Sequence, residues 1–197
     1  MTRVPRPTQE QSPVRFYELD VVERIVAAQP TAERRALMAL LYGTAIDLST
    51  ALGLSRADVN PATKEIRAAG TKAHTRDRVC RVADWAWPII WEHIRDRLPV
   101  ARLFRDDLTR WTVSDWHRET VTSLKLPQYP LRNARDHWAV YRLRAGAPVA
   151  LVQTQLGHGS PMLTLTKYGR FMPSPADRNR WEAEAARVEA ERRAVLA

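Results

Sequence analysis

One tyrosine, one lysine, two arginines and one histidine run through this chain in an order that could break a phosphodiester without a metal or an activated water. Such a reaction needs a nucleophile for phosphorus, cationic donors for the nonbridging oxygens, and an acid for the departing oxygen. Tyr168 offers the nucleophile, Arg132, Arg135 and His158 the donors, and Lys72 the acid. A phenol ordinarily ionises near ~10, so Tyr168 needs cationic neighbours or a base to attack at neutral pH. Taken singly, each residue also has an ordinary reading. Arginines three apart share a helix side in many helices. His158 after Leu156-Gly157 fits a helix end touching the last carbonyls, and Tyr168 fits a packed core aromatic.

The elements that position these residues are mostly helical by pattern. "YELDVVERIVAAQ" repeats apolar residues at Leu19, Val22, Ile25 and Val26, and "TAERRALMALLYGTAIDLSTALGL" does so at Leu37, Leu40, Leu41 and Leu48, with Thr31 as its cap. "KEIRAAGTKAHTRDRVCRVA" alternates instead, which predicts a small hairpin with Lys72 at or near its turn. "DWAWPIIWEHIRDRL" predicts an amphipathic helix with Pro88 in its first turn, and "TVSDWHRETVTSLKL" another, capped by Ser114 or Thr112. After the stiff "PQYP", one helix ends at Gly146 and a shorter one at Gly157. The result is a mainly α single domain with a small antiparallel β-sheet, an α+β chain.

Residues 1–15 are polar and proline-bearing and read as a flexible basic tail, the domain as 16–175, and 176–197 as a C-terminal helix with Trp181, Ala185 and Val188 on one stripe. Trp85, Trp87, Trp111, Trp116 and Trp138 fit core positions better than base-stacking ones. "TALGLSRADV" has the look of a helix-turn-helix, a pattern that any tight helix pair repeats.

Charge narrows the partner. The 197 residues carry 31 Lys plus Arg against 22 Asp plus Glu, a formal +9, and such a field attracts polyanions. The single cysteine, Cys80, forms no intramolecular disulfide, and no Cys/His cluster has zinc spacing, which fits a reducing cytoplasm and no structural metal. No apolar run approaches the ~20 residues of a membrane span.

Order and spacing together resemble the catalytic domain of the tyrosine recombinases, the phage-integrase family, from about Val14 to Ser174. The motifs are "ALMALLYGTAIDLSTALGLSRADVN", "GTKAHTRDRVCRV" and "RNARDHWAVYRLRAGAPVALVQTQLGHGSPMLTLTKYGRF". The resemblance implies the tyrosine-recombinase catalytic fold and makes Tyr168 the nucleophile of a 3′-phosphotyrosyl link. It makes Lys72 the acid for the 5′-oxygen, and Arg135 and His158 the donors to the scissile phosphate. It further implies double-stranded DNA as partner, a homo-oligomer in a tetrameric synapse, and no cofactor, because the covalent link conserves the phosphodiester energy. The tail with Trp181 would dock on a neighbouring subunit. An N-terminal core-binding domain usual in the family has no counterpart in the ~15 residues before the fold.

Two motifs depart from the family. Asp47 stands where its first arginine is expected and Thr50 at its usual glutamate, and Arg132 replaces the histidine of its His-x-x-Arg. Arg132 keeps a donor but cannot act as a base. A carboxylate at Asp47 repels a phosphate, and losing one such donor typically costs ~10²–10³ in rate. The chain therefore reads as a site-specific recombinase or as a DNA-binding relative that has lost cleavage. Binding of RNA or protein through the basic surface alone is the third reading.

Overall fold

Thr31 begins the central helix as its chemistry dictates: the hydroxyl accepts from the Arg34 amide at 3.2 Å, filling one of the donors a helix start leaves open. The computed structural model describes residues 13–69, 77–174, 176–177 and 187. Lys72 at the hairpin turn and Trp181 in the C-terminal helix lie outside them.

Among the described residues the order is α1 (Leu19–Ala27), α2 (Ala32–Gly43), α3 (Leu48–Gly53), β1 (Val59–Asn60), β2 (Glu65–Ala68), β3 (Arg78–Arg81), α4 (Trp87–Ile94), α5 (Arg110–Ser123), α6 (Ala134–Arg144), α7 (Val149–Leu156) and α8 (Pro161–Tyr168). The mainly helical architecture with a small antiparallel sheet is the one expected. The sheet runs β1-β2-β3, with Val59 opposite Ile66 and Ile66 opposite Cys80. β2 and β3 are the two arms of the expected hairpin, and β1 is an addition too short to leave a pattern.

α2 is the hub. Ala36 through Gly43 are all buried, and α2 packs on α1, α4 and α6. A Cβ on Gly43 would lie 2.4 Å from that of Ala86, so only glycine lets α2 and α4 approach this closely. The Gly43 carbonyl then accepts from the Ala83 amide. The larger hydrophobic core gathers α1, α2, α4, α5 and the inner face of the sheet, and a smaller one gathers Trp138, Val140, Leu143, Val152, Leu156 and Tyr168 from α6, α7 and α8. Val14 and Phe16 pack on the smaller cluster.

Two local expectations change. α5 is capped by Thr109, which accepts from the Thr112 amide at 3.1 Å, rather than by Thr112 or Ser114. Ser114 instead bonds back to the Arg110 carbonyl one turn earlier, the usual use of a serine inside a helix. The tryptophans also divide: Trp116 and Trp138 are buried, Trp85 and Trp87 pack at the core edge, but Trp111 is 67% exposed. It lies beneath the Arg110 guanidinium, 4.5 Å from the ring centroid.

Candidate active site

Three chain turns bring the candidate residues together. The first is the approach to α6. A 3-10 turn over Leu131–Asn133 feeds the helix, Asn133 Nδ2 donates to the Arg15 carbonyl at 2.7 Å, and His137 Nδ1 lies 2.7 Å from the Tyr17 carbonyl. This fixes Arg132 at an exposed corner and Arg135 half-buried in the first turn of α6. Arg132 and Arg135 line a common cavity of about 190 Å³ with Asp47, Leu48 and Ser49.

The second turn ends α7. Gly157 adopts φ +65°, the left-handed conformation that closes a helix and that favours glycine. Two arginines meet at this corner. Arg135 Nη2 donates to the Leu156 carbonyl at 2.6 Å, and Arg78 Nη1 lies 3.4 Å from where a Gly157 Cβ would stand. The third turn starts α8, where Ser160 accepts from the Met162 amide and Pro161 sets the first helical position. α8 then carries Tyr168 as its last residue.

Tyr168 is buried, with only 1% of its surface exposed, so its ring does occupy a core position. Its hydroxyl donates to Asp136 Oδ1 at 2.5 Å, and Lys167 Nζ reaches the same oxygen at 2.7 Å. Burial pushes the phenol far above its ordinary pKa. The hydrogen bond to Asp136 and that carboxylate's charge push the same way, and Arg135 only partly counters them. The resting tyrosine is thus neutral and hydrogen-bonded.

His158 lies parallel to the Tyr168 ring, 2° between planes and 6.4 Å between centroids, with Nδ1 2.9 Å from Thr164 Oγ1. Burial, then the charges of Arg135 and Lys167, lower its pKa to about 4, so it is uncharged at pH 7. When the Thr164 hydroxyl donates to Nδ1, the ring proton sits on Nε2 and forms a donor for an incoming oxygen.

Asp47 occupies the opposite side of Arg135. It caps α3, accepting from the Thr50 amide and the Thr50 hydroxyl, each at 3.0 Å. Its Oδ2 lies 3.6 Å from Arg78 Nη2 and 3.8 Å from Arg135 Nη1. Partial burial raises the Asp47 carboxyl, but the Thr50 bonds and the charges of Arg135 and Arg78 outweigh it and hold the group below the usual carboxylate range.

Arg135, His158 and Tyr168 therefore converge, Arg132 joins them from the rim, and Lys72 lies outside the described residues. Sequence reasoning missed Asp136 and Arg78. Asp136 in the first turn of a helix looks like an ordinary partner for the helix dipole. In β3 the alternation is inverted from its apolar look, with Arg78 and Cys80 turned inward and Val79 52% exposed.

Around this centre lies a basic groove. Arg132 is common to three cavities: the 190 Å³ one, another of about 540 Å³ flanked by Arg110, Trp111 and Arg118, and a third of about 420 Å³ bordered by Arg15, Asp136 and Lys167. Among the described residues no cluster of His, Cys, Asp and Glu could hold a metal, and no helix is long and apolar enough to cross a membrane.

No protein-family model and no curated protein matches the sequence. Solved structures do. The chain is similar to XerA recombinase, at 17% identity over 88% of this chain and 66% of that one, with a TM-score of 0.68. It is similar to the Tn1549 transposon integrase in complex with circular intermediate DNA, at 16% identity over 93% and 68%, TM-score 0.69. It is also similar to the catalytic domain of bacteriophage HP1 integrase, at 20% identity over 83% and 91%, TM-score 0.64. The chain thus spans about two thirds of XerA and nearly all of an isolated catalytic domain.

Proposed function

We propose that this chain, which has the fold of the tyrosine-recombinase catalytic domain, is a site-specific recombinase or integrase that cuts and rejoins double-stranded DNA through a 3′-phosphotyrosyl link on Tyr168. One observation carries the reading: Tyr168, Arg135 and His158 converge from α8, α6 and the α7–α8 turn beside a groove rich in arginine. In this reading the phosphate lies in the groove near Arg132. Arg135 holds a nonbridging oxygen, His158 donates from Nε2, Tyr168 attacks phosphorus, and Lys72 protonates the departing 5′-oxygen. Arg78 offsets the charge that Asp47 introduces where the family has an arginine. Rejoining reverses these steps, with no cofactor or metal. A synapse of several copies completes the exchange, and the exposed Leu151, Met162, Leu163 and Leu165 on α7 and α8 offer an apolar face for a second copy.

A second reading has one observation in its favour. Asp47 engages both Arg78 and Arg135, two cations of the candidate site, which favours a protein that binds DNA and no longer cleaves it. Nicked duplexes tiled across the DNA flanking the protein's own coding sequence separate the two. A recombinase accumulates a covalent protein–DNA band that Tyr168→Phe abolishes. A binding protein shifts the duplexes and leaves no band with either variant, and that result overturns the first reading. Phosphate contacts also predict a steep fall of affinity with salt, and flat binding would overturn both.

A further inference from the structure

Any tyrosine that attacks phosphorus must lose its proton, and this site lacks the usual bases. Arg132 has no lone pair to offer. The ring of His158 lies parallel to that of Tyr168 and turns its Nδ1 to Thr164. Among the described residues, the one group hydrogen-bonded to the Tyr168 hydroxyl is Asp136, at 2.5 Å.

We infer that Asp136 is the general base of strand cleavage, taking the phenolic proton as the Tyr168 oxygen bonds to phosphorus. The inference rests on the cleavage reading above. Its chemistry balances as follows. The Tyr168 O–H bond breaks and its proton passes to Asp136 Oδ1, the new O–P bond forms, and the bond from phosphorus to the 5′-oxygen breaks. That oxygen takes a proton from the acid of the proposed reaction, Lys72. A carboxylate does not remove the proton from a resting phenol, whose basicity is far higher. It becomes an adequate acceptor once bonding to phosphorus draws electron density from the phenol oxygen. In rejoining, Asp136 returns the proton.

The surroundings suit this role. Lys167 Nζ, 2.7 Å from the same oxygen, holds the carboxylate in place. Arg135 precedes it on α6, Arg132 stands on the 3-10 turn, and Arg15 borders the cavity of about 420 Å³ on which Asp136 opens. The Asp136 side chain keeps 13% of its surface exposed, so a proton taken from Tyr168 has a route to solvent through that cavity. A buried carboxylate without such an outlet would only hold the tyrosine.

The test is single-turnover covalent trapping by the full chain on nicked duplexes. Asp136→Asn keeps the shape and loses the base: trapping slows by on the order of 10²–10³, while duplex affinity in a mobility shift does not fall below the wild-type level. Asp136→Glu retains a measurable part of the rate. Formate restores trapping to Asp136→Ala, a rescue that a purely structural role would not give. Asp136→Asn trapping at the wild-type rate or faster overturns the inference and leaves the cleavage reading standing, since the carboxylate would then only hold Tyr168 closed. Failure of formate to rescue an Ala variant that still binds duplex also overturns it. Absence of trapping by the wild type overturns both.

Discussion

Two carboxylates flank Arg135, and they are set to opposite uses. Asp47 accepts from Thr50 and lies between Arg78 and Arg135, so its charge subtracts from the positive field where a phosphate would sit. Asp136, next to Arg135 in the chain, lies between Lys167 and the Tyr168 hydroxyl, so its charge faces the phenol. A negative charge beside a phosphate site weakens binding, whereas beside a phenol it offers a place for the proton. What each does follows from which neighbour it meets, not from its residue type.

The sharpest break of this comparison is a pair of equal substitutions with opposite results. Asp136→Asn lowers covalent trapping by on the order of 10²–10³, while Asp47→Asn raises it, because Asn still caps α3 and releases both guanidiniums. Asp47→Arg, which also reverses the charge, raises trapping by on the order of 10² if the missing donor limits the rate. Its affinity for duplex DNA, measured against salt, acquires a slope steeper by about 1. Equal losses from both Asn variants would make the two carboxylates mere structural fixtures.

The corner that both arginines share gives a smaller effect. Gly157→Ala forces a side chain into φ +65° and against Arg78, and costs about 1–2 kcal/mol, read as a lower midpoint in thermal unfolding. An unchanged midpoint would detach the glycine from the α7 end. Smallest and most gradual is the response to acid. His117, in the larger core, and His158, against Tyr168, both have pKa values lowered to about 4 by burial. The unfolded chain therefore binds more protons than the folded one between about pH 6.5 and pH 4. Stability is full above that window and declines as pH falls through it, and the held-down Asp47 carboxyl adds loss at still lower pH. Thermal midpoints at pH 7, 5.5 and 4.5 should fall in that order.

Much of this was legible from the sequence, and the gaps have physical causes. The apolar period of α1 and α2, the Thr31 cap, the glycine stops at Gly146 and Gly157 and the hairpin all follow from local rules. The convergence of Arg135, His158 and Tyr168 was reachable only through their order along the chain, since each alone has a commoner structural use. Arg78 escaped because β3 turns its arginine inward and its valine outward, and inward faces are read from apolar residues. Asp136 escaped because a side chain's partner 32 residues away leaves no local trace. The Thr109 cap was misplaced onto Ser114 or Thr112, five or three residues on, and Thr112, bonded to Thr109 at 2.9 Å, looks like it as a cap.

The central claim is that the Tyr168 oxygen becomes joined to DNA. Mass spectrometry of the trapped complex, after nuclease and protease digestion, reads it directly. The account predicts a peptide containing Tyr168 that carries a nucleotide through its phenol oxygen. A nucleotide on any other residue, or no modified peptide from a preparation that binds the same duplex, would contradict it.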